Sequence, residues 1–154
     1  MPEDFLTIRR INGRGKACLP GFIDSHVHII GGGGEGGFGT RTPEINVKTL
    51  IESGITSVVG CLGTDFVCRN METLLAKANA LEDAITAYCY TGSYDIPVKT
   101  LTGSIKKDVI LIEKIIGVGE IALSDHRSTQ PTYDEFIRAV SETRVGGLLS
   151  GKAG

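Results

Sequence analysis

Four times in succession this chain sets a short β-forming run ahead of a stretch with helical spacing. A chain with that alternation folds as consecutive β-α units around a parallel sheet. The first run follows Pro20-Gly21. The others are Ile55 to Leu62, Ile85 to Thr91 and Val118 to Leu123. All are short and largely apolar, as strands covered by helices tend to be. The first helix is expected to open at Thr42-Pro43-Glu44, with Val47, Leu50 and Ile51 on one face and Gly54 just past its end. Met71, Leu74, Leu75, Ala78 and Leu81 mark the second helix. Ser104 can cap a third, with Val109, Ile112 and Ile116 along one side. Thr132 and Glu135 form a capping box for a fourth, expected to run to about Arg144, leaving Gly146 to Gly154 as loop.

Chemistry enters on the first strand, Phe22-Ile23-Asp24-Ser25-His26-Val27-His28-Ile29-Ile30, which runs into Gly31-Gly32-Gly33-Gly34-Glu35-Gly36-Gly37. Side chains alternate along a strand, so Phe22, Asp24, His26 and His28 share a face while Val27 and Ile29 take the other. Two imidazoles about 7 Å apart along one strand face can close on one metal ion, with Asp24 placed to orient a ligand. Two ligands alone do not make a site, and a bland half-exposed strand would explain them. The glycine loop with a single acid is what a plain edge strand does not need.

Composition narrows the class. The 154 residues carry a net charge of −2, which gives no electrostatic case for nucleic acid or an anionic membrane. No apolar run approaches the roughly 18 residues that span a bilayer, and the N-terminus has no signal-peptide pattern. Cys18, Cys61, Cys68 and Cys89 lack paired metal-knuckle spacing and read as buried thiols in a reducing compartment, so a cytoplasmic location is expected. The 21 glycines cluster in turns, as punctuation of a regular fold.

Polar groups recur at the C-terminal end of every strand, the end at which parallel α/β folds carry their chemistry. The first strand offers His26, His28 and Glu35, the second Thr64 and Asp65, and the third Tyr94. The fourth carries Glu120 and is followed by Asp125, His126 and Arg127. Solvated loops would not be expected to repeat that pattern four times.

The run Pro20-Gly21-Phe22-Ile23-Asp24-Ser25-His26-Val27-His28 resembles the first-strand signature of the amidohydrolase superfamily, metal-dependent hydrolases on a (β/α)8 barrel. Its continuation through Glu35 is similar to the isoaspartyl (β-aspartyl) dipeptidase family, as are Leu62-Gly63-Thr64-Asp65, Thr91-Gly92-Ser93-Tyr94 and Ser124-Asp125-His126-Arg127-Ser128. The resemblance covers the chain from about Leu19 onward. It implies a partial (β/α)8 TIM-type barrel of about four β-α units, since a closed barrel takes about 250 residues. Residues 1–18, with Phe5 to Ile8 as one strand, are then a remnant of a preceding β-sandwich segment, and 19–154 the N-terminal half of the barrel.

The same resemblance implies two divalent metals, in this family typically zinc, and hydrolysis of an isoaspartyl dipeptide by a metal-activated hydroxide. His26 and His28 would hold the first metal. The family bridges its metals with a carboxylated lysine from strand four. Here the segment is Gly117-Val118-Gly119-Glu120-Ile121 with no lysine, and Glu120 is the candidate substitute. Glu35 would take the substrate α-amino group, Gly33 and Thr64 its aspartyl α-carboxylate, and Arg127 the carboxylate of the leaving residue. Tyr94 would donate to the oxyanion, while Asp125 and His126 would support rather than ligate. The family takes its second set of histidines and its proton-transferring aspartate from later strands. The sequence has three histidines, so the second metal site is expected to be incomplete and the chain alone inactive, whether through truncation or a split gene.

Two other motifs carry less. Gly31 to Gly36 satisfies G-x-G-x-x-G, but a dinucleotide site needs its helix to begin at that loop. Gly146 to Ala153 approaches a P-loop, yet Ala153 lacks the metal-binding hydroxyl and the segment follows a helix. Two rival readings remain. One is an amidohydrolase acting on a cyclic amide. The other is a non-catalytic half-barrel that forms a homo-oligomer or pairs with the missing barrel half through its open edge strands.

Overall fold

The structure, a computed structural model, describes residues 10–154; the strand expected over Phe5 to Ile8 lies outside them. Four parallel strands, β1 (Phe22–Val27), β2 (Ile55–Gly60), β3 (Thr86–Thr91) and β4 (Ile115–Val118), form one sheet in sequence order. Between and after them lie α1 (Val47–Glu52), α2 (Met71–Leu81), α3 (Ile105–Leu111) and α4 (Tyr133–Ser150). Sequential order with every connection through a helix is the winding of a (β/α) barrel, here carried through four units.

The core lies between the sheet and its helices. Leu74 and Ala78 of α2, Val58, Ala87, Cys89 and Ile115 of the strands and Val109 of α3 are fully buried there. Burying a side chain of the size of Leu74 stabilises the fold by about 1.5–3 kcal/mol. The opposite sheet face is more open: Phe22 on edge strand β1 is largely exposed, as is Ile23 on its other side. No helix among the described residues is long and apolar enough to cross a membrane.

The structure shifts several expected boundaries. Helix α1 starts at Val47, capped by Asn46, whose side chain accepts from the Lys48 amide. The Thr42 hydroxyl is used elsewhere, accepting from Gly32 N and donating to Gly32 O, so residues 42–45 become an extended strap along the glycine loop. Strand β2 stops at Gly60 rather than Leu62, and β3 begins one residue later than Ile85. Strand β4 is Ile115–Val118, not Val118 to Leu123. Ile112 leaves the helix at φ −108°, and Ile115, Gly117 and Val118 pair with Cys89, Tyr90 and Thr91. Ile116 thus belongs to a strand rather than to α3, and Glu120 lies beyond the strand end.

Helix α4 runs six residues past Arg144, to Ser150, with Gly151 closing it in the left-handed conformation at φ +73°. Gly146 sits inside this helix as a packing residue: a Cβ there would lie 3.0 Å from Val109 Cβ, so its absence lets α3 and α4 close together. The P-loop-like segment is therefore largely helical. Of the cysteines, Cys61 and Cys89 are buried and their thiols are pushed up to about 12, chiefly by burial, whereas Cys18 and Cys68 are exposed, against expectation.

The capping box on α4 forms as expected. Thr132 Oγ1 accepts from Glu135 N, and Glu135 Oε2 accepts from Thr132 N at 2.8 Å. Thr132→Ala removes the side-chain half of the box and is expected to lower stability by about 1 kcal/mol, read as a drop in the urea midpoint. A change below about 0.3 kcal/mol would show that the box contributes little.

Candidate metal and substrate site

The C-terminal ends of all four strands converge. His26 comes from β1 and His28 from just past it, and Glu120 reaches back from beyond β4. Glu120 Oε1 lies 2.7 Å from His26 Nε2, and Glu120 Oε2 lies 3.9 Å from His28 Nε2. One donor atom from each of the three residues falls within 4.8 Å of the others. The two rings meet edge to face with centroids 5.6 Å apart, so the face-sharing expected of His-x-His holds past the strand end.

Backbone around His28 fixes its ring. Gly63, at φ +81°, passes so close that a Cβ there would lie 2.9 Å from His28 Nδ1. The same Nδ1 is 3.3 Å from the Cys61 carbonyl. With its proton on Nδ1, His28 donates to that carbonyl and offers the Nε2 lone pair, the arrangement metal-binding imidazoles use. Asp24 does not orient either ring: its Oδ1 accepts from the His26 backbone amide at 3.0 Å.

The residues fit a divalent cation. Glu120 Oε2 is buried and has no hydrogen-bond partner among the described residues, an arrangement that is costly unless something positive answers it. Two imidazoles and a carboxylate are a donor set that suits zinc and its neighbours.

From Glu120 a continuous polar chain crosses the strand ends. Tyr94 OH donates to Glu120 Oε1 at 3.4 Å, and Arg127 Nη1 donates to Tyr94 OH at 3.3 Å. The Arg127 guanidinium lies over the Tyr94 ring, 4.7 Å from its centroid. Arg127 Nη1 also donates to Glu35 Oε1 at 2.6 Å, and Thr64 Oγ1 donates to the same oxygen at 2.9 Å. Glu35, Thr64, Tyr94, Glu120 and Arg127 are thus brought together with both histidines.

Charge in this chain is held firmly. Asp125 grips Arg127 with Oδ1 on Nε at 2.7 Å, Oδ2 on Nη2 at 2.9 Å and Oδ1 on the Arg127 amide at 2.9 Å. The Arg127 hydrogen bonds hold the Asp125 carboxyl well below the usual range, and Asp125 in turn raises Arg127. Glu35 is lowered by its hydrogen bonds from Arg127 and then Thr64, so it stays ionised through neutral pH. His126 is 82% exposed at its side chain and lies outside the cluster, 3.4 Å from Asp125.

One residue beneath the site, Arg69, carries no sequence signal. Arg69 is buried under the glycine loop. Asp65, a candidate at the end of β2, turns away from the cluster into ion pairs with Arg41 at 2.7 Å and Arg69 at 3.6 Å. Arg69 belongs to no motif, and Asp65, though part of one, pairs with arginines instead of facing the cluster.

Comparison with known families matches residues 17–149 to the family described as Amidohydrolase family. The chain belongs to the amidohydrolase family. Two solved structures are similar to this amidohydrolase chain. One is the crystal structure of β-aspartyl dipeptidase from the thermophilic keratin-degrading Fervidobacterium islandicum AW-1. It is 61% identical with a TM-score of 0.87, over 88% of this chain and 37% of that one. The other is the same dipeptidase in complex with β-Asp-Leu dipeptide, again 61% identical with a TM-score of 0.87, over 88% of this chain and 36% of that one. The chain therefore spans little more than a third of the length of the solved chains it matches, and its fold is that of part of an amidohydrolase barrel.

Proposed function

We propose that this chain provides one metal-binding group and most of the substrate grip of an isoaspartyl dipeptidase. The observation that carries the reading is the unbroken chain from Thr64 through Glu35, Arg127 and Tyr94 to Glu120 and the two histidines. It sets an anion and a cation beside a metal-fitting triad, which suits a zwitterionic peptide.

A zinc-like ion on His26, His28 and Glu120 would supply Lewis acidity to the scissile amide. The chain's own residues do the rest of the recognition. Glu35, ionised, accepts the substrate α-ammonium in place of Arg127. Arg127, held from behind by Asp125, turns its freed Nη1 to the carboxylate of the leaving residue. Thr64 and the Gly33 amide take the aspartyl α-carboxylate. Tyr94 OH, already beside Glu120, donates to the carbonyl oxygen as charge develops on it. Zwitterion binding then replaces one ion pair by two, which offsets the cost of opening the Glu35–Arg127 contact.

The second metal and the acid that protonates the leaving amine would come from residues outside these 154. The only other histidine is the exposed His126. The open edges β1 and β4, with Phe22 and Ile23 exposed on β1, support completion of the sheet by further strands. These would be joined to this chain or supplied by a partner, and turnover by the chain alone is not expected.

A direct test is titration of the zinc-loaded, isotopically labelled chain by NMR. Saturable shifts at Gly33, Thr64, Tyr94 and the Arg127 side chain are expected with β-Asp-Leu, and weaker ones with α-Asp-Leu. A neutral cyclic amide such as a hydantoin has no charges with which to open the Glu35–Arg127 pair. Binding of the hydantoin but not of the dipeptide would overturn the dipeptidase reading in favour of a cyclic-amide substrate.

A further inference from the structure

The loop that carries Gly33 and Glu35 has no regular structure of its own to hold it. Gly31, Gly33 and Gly34 all take positive φ, at +88°, +70° and +104°. A loop of this kind exposes carbonyls that need donors and leaves its amide directions to be set from outside. Two outside partners hold it: Thr42, whose amide and hydroxyl both donate to Gly32 O at 2.9 and 3.2 Å, and Arg69, which projects from the segment before α2 and is only 5% exposed. Its Nε donates to Ile30 O at 3.1 Å, its Nη1 to Gly33 O at 3.4 Å, and its Nη2 to Gly32 O at 3.1 Å and Thr42 O at 3.0 Å. Four carbonyls from the loop and from the strap beside it converge on one guanidinium, whose planar fork suits that task.

Peptide geometry turns this into a statement about the opposite face. The only cis bonds among the described residues are Ile96–Pro97 and Gly119–Glu120, so the Gly32–Gly33 and Gly33–Gly34 peptides are trans. In a trans peptide the C=O and the following N–H point in opposite directions. Drawing Gly32 O and Gly33 O down onto Arg69 therefore turns the amides of Gly33 and Gly34 away from it, toward the open side of the loop. Among the described residues those two amides donate to no protein acceptor, whereas Gly31 N donates to His28 O and Gly32 N to Thr42 Oγ1. Asp65, one residue after Thr64, pairs with Arg69, so the loops after β1 and β2 are tied through the same group.

We infer that Arg69 is a positioning residue for substrate recognition: by gathering the loop carbonyls beneath it, it presents the Gly33 and Gly34 amides as a paired grip for the dipeptide's α-carboxylate. The inference rests on the dipeptidase reading and adds to it a residue that never touches substrate yet sets the preference for an aspartyl over an unsubstituted β-amino acyl group.

The probes are β-Asp-Leu and β-Ala-Leu, which differ only in the α-carboxylate. Each is titrated by NMR into the zinc-loaded chain, unsubstituted and as Arg69→Met and Arg69→Lys. The unsubstituted chain is expected to prefer β-Asp-Leu by about tenfold or more, the scale of hydrogen bonds to a charged group. Arg69→Met should bring that ratio close to one while leaving zinc affinity unchanged. Arg69→Lys keeps the charge but cannot reach all four carbonyls, so it should fall between and serves as the test if the methionine variant fails to fold. A general loss of structure would weaken both ligands alike and zinc as well. Full preference retained in the folded variants would overturn the inference alone. An unsubstituted chain that binds neither dipeptide, or both equally, would overturn the dipeptidase reading and this inference with it.

Discussion

Glu120→Gln is expected to lower the affinity of the chain for zinc by more than about 100-fold, since even residues that only support a metal ligand cost 10–100-fold when replaced. Glu120 is the third donor beside His26 and His28, at 2.7 and 3.9 Å from their Nε2 atoms, and its Oε2 is buried without a partner. Glutamine keeps the shape and removes the negative charge that faces the cation. Competition titration with a chromophoric chelator reads the change, and circular dichroism confirms that the fold is intact. Tyr94→Phe is the matched control. It removes a long, 3.4 Å hydrogen bond to the same carboxylate and should lower zinc affinity by about tenfold, the low end for a residue that supports a ligand. Equal zinc affinity in Glu120→Gln and the unsubstituted chain would exclude the carboxylate as a ligand and leave only the His pair.

Asp108→Ala is expected to destabilise the fold by about 3–5 kcal/mol, more than most single substitutions. Asp108 is fully buried on α3 and accepts four hydrogen bonds. Oδ2 takes Thr91 Oγ1 at 2.6 Å and Leu101 N at 2.9 Å, while Oδ1 takes Thr102 Oγ1 at 2.6 Å and Thr102 N at 2.9 Å. Truncation takes the acceptor from the fully buried Thr91 hydroxyl and from the Leu101 and Thr102 amides, while the exposed Thr102 hydroxyl keeps Ser104 O at 3.2 Å. The carboxylate also pins the end of β3, three residues before Tyr94, to the helix behind it. Asp108→Asn turns an NH2 group toward donors and should cost roughly 2–3 kcal/mol. Urea denaturation measures both. A loss below about 1 kcal/mol for the alanine variant would mean that the loop relaxes to find other acceptors.

Much of the site was legible because its residues sit in local patterns. His26 and His28 share a strand face by simple alternation, and the glycines around Glu35 announce a loop built for close approach. The capping signals at Ser104 and Thr132 act within one turn, so they placed the starts of α3 and α4 correctly but not their ends. The errors came where two readings of a local signal compete. Thr42-Pro43 has the composition of a helix start, but the Thr42 hydroxyl bonds the glycine loop instead. Gly146 and Gly147 look like a helix end, but they are small because α3 and the tail pack against them. The apolar run around Ile115 and Ile116 fits helix or strand equally by periodicity, and pairing with β3 decided it.

The sequence by itself determined the order of elements, the parallel α/β class, the His pair and the polar residues at each strand end, since all of these depend on neighbours a few positions away. Only the tertiary structure decided that Glu120 reaches both histidines and that Arg127, held by Asp125, closes on Glu35 across 92 positions of chain. The same holds for Arg69 beneath the glycine loop and Asp108 behind β3. The physical reason is common to all of them. A charged side chain looks the same in sequence whether it is solvated or buried, and burial with its partners is fixed only when distant strands are brought side by side.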